Sequence, residues 1–152
     1  MENKKTDRLI WFKGDIIPVG DAKINVLSPT SQFGANVFEG LRAYWNVSEK
    51  QLYVFKLPEH IDRLQNSIKM LELEATFTNV FLQKSVIDII QANKFQEDLV
   101  CRQTVFLDGF GNWSATGPVE MFIAPMAKGR YYEKSQGLDV CISSWERINE
   151  KS

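Results

Sequence analysis

Apolar and polar positions alternate along most of the chain, and the period lengthens only in its middle. "LIWFKGDIIPV" reads as two short strands around the turn Lys13-Gly14-Asp15, a hairpin signal. "AKINVLS" alternates Ile24 with Val26 and admits a further strand. After the loop "PTSQFGA", the runs "VFEGLRAYWN" and "QLYVFKL" are strand-like and joined by the polar turn "VSEK". Gly40 inside the first of these runs points to a bulge or a close backbone approach.

The period then changes to that of a helix. "PEHIDRLQNSIKMLEL" opens with Pro58 at a natural first helical position and Glu59 in the first turn. Ile61, Leu64, Ile68 and Leu71 recur at three- and four-residue steps, one apolar stripe. Arg63 falls off that stripe, with His60 and Ser67 on its own side. The pattern predicts a second helix over Asn79 to Asn93, with Thr78 as cap and Val80, Ile87 and Ile90 among its apolar contacts. Strand patterns return in "LVCRQTVFL", "VEMFIAPM" and "GLDVCISSW", the first two separated by the glycine-rich loop "DGFGNWSATG". Strands, two helices, then strands make an α+β domain, a mixed or antiparallel sheet with its two main helices packed on one face.

Composition narrows this picture. The 152 residues suffice for one domain with a real core, and 44% hydrophobic content favours a folded chain. A formal net charge of -1 gives no electrostatic reason to expect nucleic acid or a membrane as partner. Cys101 and Cys141 lie in apolar runs without CxxC spacing and read as two buried free thiols of a cytoplasmic protein, with a disulfide as the alternative. One histidine and no cysteine cluster leave no His/Cys zinc site, so no metal is expected. "GFGNWS" lacks the third glycine of a dinucleotide loop. Trp11, Trp45, Trp113 and Trp145 read as core or rim, because no basic residues interleave with them.

Three arginines are candidates for chemistry. Arg63, on a helix beside a polar line of side chains, either binds a phosphate through parallel hydrogen bonds or pairs with Asp62, Glu59 or solvent. Arg42 and Arg102 sit in strand runs flanked by apolar residues, where an unpaired charge costs several kcal/mol. Each must meet a carboxylate, a phosphate or water. For Arg42 the simple alternative is a pair with Glu39 or Glu59 at a sheet edge; for Arg102 it is an outward strand position. His60, in the first turn of the helix, is a packing or capping group or else a base.

"IWFKGDIIPVGDAKINVLSPTSQFGANVFEGLRAY", "EHIDRLQNS" and "GLDVCISSWER" together resemble the amino-terminal half of the class IV aminotransferases. These are pyridoxal-phosphate (PLP) enzymes of fold type IV, and the branched-chain amino-acid aminotransferases are the nearest branch. The resemblance implies the small N-terminal domain of the D-amino-acid aminotransferase-like fold over residues 1–152. It implies Arg63 as the cofactor-phosphate ligand, and Phe38, Arg42, Phe33 and Tyr131 as substrate-pocket residues. Arg102 matches the arginine that receives the acidic side chain of glutamate. Two positions depart from the branched-chain pattern: Phe33 and Val100 each stand where a tyrosine is expected, and each removes a hydroxyl from the pocket.

The resemblance further implies a transaminase moving an amino group between a branched-chain or similar apolar amino acid and 2-oxoglutarate, working as a homodimer. Other class IV reactions stand as alternatives: a D-amino-acid aminotransferase or an aminodeoxychorismate lyase. In the family the Schiff-base lysine lies about a dozen residues beyond the tryptophan of the "SSW" strand. Here Trp145 is followed by "ERINEKS", in which Lys151 stands too near to match. The expectation is therefore a chain with no catalytic lysine of its own and no C-terminal cofactor domain. A non-catalytic binding or partner domain is the alternative from a different class.

Overall fold

The computed structural model describes residues 8–112, 114–129, 137 and 139–146. The first alternating runs pair as a hairpin, β1 (Leu9–Phe12) with β2 (Asp15–Pro18), through a turn in which Lys13 and Gly14 both take positive φ. That backbone matches the twist of a two-residue hairpin. No strand forms over "AKINVLS", contrary to its alternation. A 3-10 turn, Val19–Asp21, precedes the run, and within it the Asn25 side chain accepts from the Leu27 backbone at 2.8 Å. Such a local bond offers the backbone an alternative to a sheet ladder.

The loop "PTSQFGA" holds a one-turn helix, α1 (Pro29–Phe33). Ser28 caps it by accepting from Ser31 N, and Gly34 ends it at φ 69°. A capping serine, a proline at the first position and a terminating glycine are all written in the sequence. A single turn is too short for a periodic signal. β3 (Asn36–Asn46) and β4 (Gln51–Val54) then form the second hairpin.

Helix α2 (Leu57–Met70) buries Ile61, Leu64 and Ile68 as its stripe predicts. Leu71 departs from that stripe and is half exposed. The helix ends at Met70, Glu72 turns the chain with φ 52°, and Leu73 takes the buried place instead. Helix α3 (Asn79–Asn93) has the predicted bounds and the predicted cap, Thr78 accepting from Phe81 N. Its buried face is Leu82, Val86, Ile89 and Ile90; Val80 and Ile87 are exposed. Those two are seven residues apart and share the face turned away from Leu82 and Val86.

β5 (Leu99–Leu107) and β6 (Val119–Ala127) complete a six-stranded antiparallel sheet of order β2-β1-β6-β5-β3-β4. Both long helices cover one face, α2 over β3 and α3 over β1 and β6. The core between the layers joins Trp11, Leu41, Cys101, Val105 and Ile123 of the strands to Ile61, Leu64, Leu82 and Ile89 of the helices. Gly40 causes no bulge: it pairs in regular register with Arg102, and a side chain there would meet nothing within 4 Å.

The expected strand "GLDVCISSW" does not form over its described residues, and Val140, Ile142 and Trp145 are exposed. A strand needs a neighbour for its backbone groups, and alternation alone does not supply one. Cys141 is accordingly exposed rather than buried; Cys101 is buried, and both are free thiols.

Candidate functional site

Alternation along β3 sorts its residues onto two sides of the sheet. Val37, Glu39, Leu41 and Ala43 face the helices, and Phe38, Gly40, Arg42 and Tyr44 face away. Arg102 stands opposite Gly40 on β5, also on the open face. With no side chain at Gly40, the Arg102 guanidinium lies diagonally across to Phe38 and stacks 4.1 Å from its ring centroid. Such stacking favours a guanidinium, which is planar and weakly hydrated. Arg42 donates from Nη2 to the Gly129 carbonyl at 3.1 Å and lies 5.6 Å from the Tyr44 ring. Its register partner is Val100, so the two arginines are diagonal neighbours on adjacent strands.

The structure thus brings Phe38, Arg42 and Arg102 together on one face, with Val100 beside them. Phe33 is half exposed at the end of α1, three residues before β3 begins. Tyr131 lies outside the described residues.

Arg63 is not on that face. It projects from α2 beside the helix-facing side of β3, where Glu39 meets it as a fork: Nε donates to Oε1 and Nη2 to Oε2, both at 2.6 Å. His60 Nδ1 lies 2.8 Å from Oε2. Glu39 cannot pair with Arg42 because strand alternation puts them on opposite faces, and the partner of Arg63 is neither Asp62 nor Glu59.

Glu39 is a buried carboxylate, 3% exposed, whereas the Arg63 side chain is 66% exposed. Burial pushes the Glu39 carboxyl upward, yet the hydrogen bonds and charges of Arg63 and His60 together outweigh it and hold it below the ordinary carboxylate value. The same hydrogen bond and charge push the Arg63 guanidinium above its usual value. An ionised Glu39 only accepts, so His60 carries its proton on Nδ1. Beside them Lys56, Glu59, His60 and Arg63 line a shallow depression of about 150 Å³.

Sequence reasoning missed Glu39 and His60 as a unit. The available signal was a carboxylate at an inward strand position, between Val37 and Leu41, which must find a cation when a helix covers it. Among the described residues no group of three or more His, Cys, Asp or Glu side chains could hold a metal ion. No described helix is long and apolar enough to cross a membrane.

This fold has close counterparts among solved structures. A branched-chain aminotransferase from Thermoproteus uzoniensis, solved with norvaline, superimposes with a TM-score of 0.87 at 34% identity, over 94% of this chain and 48% of that one. The Escherichia coli branched-chain amino acid aminotransferase gives 0.85 at 30% identity, over 96% and 49%. A probable branched-chain-amino-acid aminotransferase of Aquifex aeolicus is 31% identical over 147 residues, 93% of this chain and 46% of that protein. The family profile of amino-transferase class IV matches residues 36–152. The chain belongs to the class IV aminotransferases, a family of PLP enzymes, and spans about half the length of the relatives it matches.

Proposed function

We propose that residues 1–152 form the N-terminal domain of a transaminase that exchanges an amino group between a branched-chain or similarly apolar amino acid and 2-oxoglutarate. The observation that carries this reading is the Phe38–Arg102 stack beside Arg42, an apolar surface and two cations on one open sheet face. An amino acid of this class offers a carboxylate for an arginine and an apolar side chain for an aromatic ring. A dicarboxylic acceptor needs a second cation, which the pair Arg42 and Arg102 supplies. Phe33 and Tyr131 would complete the apolar pocket.

The described residues fit the phosphate end of pyridoxal 5'-phosphate. Arg63 keeps the N–H groups that Glu39 does not use on a largely exposed guanidinium, which suits a doubly charged anion. When bound, the cofactor supplies an electron sink for the bond broken at the substrate's α-carbon. In this reading Arg63 holds its phosphate, Arg42 and Arg102 orient substrate carboxylates, and Phe38 excludes water from the apolar side chain. No described residue here moves the α-proton; in the family that is the task of a lysine supplied elsewhere. Residues 1–152 alone would accordingly bind without turning over, and the working enzyme would be a cytoplasmic homodimer.

The test is amino transfer from leucine, D-alanine and aminodeoxychorismate in the protein carrying the sequence that continues past Ser152. Activity on leucine with 2-oxoglutarate is expected. Preference for D-alanine or aminodeoxychorismate would move the chain to another class IV reaction. A stop codon after Ser152, with no turnover in any complex, would favour a non-catalytic partner domain.

A further inference from the structure

We propose that Glu39 is the positioning residue for Arg63, clamping one edge of its guanidinium so that the opposite fork stands ready for a phosphate group. The inference rests on the phosphate reading above and adds to it a residue that never touches the ligand.

A guanidinium presents two forks, one along its Nε/Nη2 side and one at its Nη1/Nη2 end. Glu39 fills the side fork with two bonds of 2.6 Å, which fixes both the plane and the rotamer of a side chain otherwise free in solvent. The end fork, with one N–H from each terminal nitrogen, is left for a bidentate anion. His60 Nδ1 holds the Glu39 carboxylate in turn, at 2.8 Å on Oε2. Its own contact with Arg63 Nη2, at 3.3 Å, brings donor to donor and contributes no bond.

Packing gives no reason for an acid at this position. Residue 39 faces the helix layer between Val37 and Leu41, both buried, and an apolar side chain there would avoid desolvating a charge. Among the partners described for Glu39, both lie on α2 and both belong to this clamp.

The sign of one substitution decides the matter. Glu39→Gln removes a negative charge close to the phosphate, so electrostatic repulsion alone predicts tighter binding. It also turns one oxygen into an amide whose N–H groups face the guanidinium donors, so loss of the clamp predicts weaker binding. The cofactor-free protein would be titrated calorimetrically with pyridoxal 5'-phosphate and with phosphate-free pyridoxal, for wild type, E39Q, E39D and R63Q. Side-chain 15N spectra of Arg63 would be followed in parallel.

At least fivefold weaker binding of the phosphate-bearing probe is expected in E39Q, with pyridoxal within twofold and the slow-exchanging Nε–H signal of Arg63 lost. E39D keeps the charge but shortens the arm, so it also weakens the phosphate-bearing probe, and it serves alone if E39Q does not fold. Equal or tighter binding in the folded variant overturns the inference and leaves the phosphate reading standing. If R63Q binds as well as wild type, or if wild type binds neither probe, the phosphate reading itself fails and the inference falls with it.

Discussion

Gln103 offers a prediction whose sign follows from unsatisfied chemistry. The residue stands directly opposite Glu39 in the sheet, on the helix-facing side, and is completely buried. Its Nε2 donates to the Leu82 carbonyl and to Met121 Sδ, each at 3.3 Å, while Oε1 has no hydrogen-bond partner. A buried acceptor left unmade costs about 1–3 kcal/mol, and an ordinary hydrogen bond returns only about 0.5–1.5 kcal/mol. The contact to the carbonyl is long, and the other is to a thioether sulfur, a weak acceptor. The Leu82 carbonyl lies inside α3 and already accepts within the helix.

Gln103→Met keeps the length and flexibility of the side chain while removing the orphan oxygen. The expected outcome is stabilisation by about 1 kcal/mol, or roughly 2–4 °C in Tm for a chain of this size. Urea denaturation is the assay, with the midpoint rising at unchanged m. A fall in midpoint by the same amount would refute the reasoning, because it would mean that the oxygen is satisfied in solution. Gln103→Glu is the control. It buries a second negative charge beside Glu39 and should destabilise by several kcal/mol.

Stability should fall with acidification: the Glu39 carboxyl is held below its ordinary value, so its contribution is complete above about pH 4.3 and lost as pH drops through the lowered folded value. Tm measured from pH 6 to pH 3 should therefore decline less steeply in E39Q than in wild type. Burial pushes the Cys101 thiol up to about 12, and Cys141 is exposed. Maleimide at pH 8 should give one adduct by mass spectrometry on the native protein and two after denaturation; two adducts without denaturant would contradict the buried placement. Leu64→Ala, at a fully buried position of α2, should cost about 2–5 kcal/mol by urea titration. Borohydride reduction of residues 1–152 with pyridoxal 5'-phosphate should label no single lysine stoichiometrically, and one fully labelled peptide on mass mapping would count against the proposed incompleteness.

The sequence alone set the elements wherever the signal was long. β5, both bounds of α3, the Thr78 cap and the two hairpins are written in periodicity and turn chemistry, which act over neighbouring residues. The same local rules fell short at "AKINVLS", where an asparagine side chain captured the backbone, and at "GLDVCISSW", where alternation alone supplied no strand partner. Of the apolar contacts they named on α3, Ile90 is buried but Val80 and Ile87 are exposed, because apolar residues occur around much of that helix and only contact with β1 and β6 selects one face.

For the site, residue types were legible and pairings were not. A glutamate and two arginines in strand runs flanked by apolar residues meant that charges had to be met, while Arg63 lay off the apolar stripe of its helix. Which arginine met Glu39 depended on the side of the sheet each strand residue occupied and on where α2 crossed β3. Strand alternation turned Arg42 away from Glu39, and helix packing brought Arg63 and His60 to it. Periodicity is a property of neighbours along the chain, whereas an ion pair across 24 positions exists only once the layers have closed.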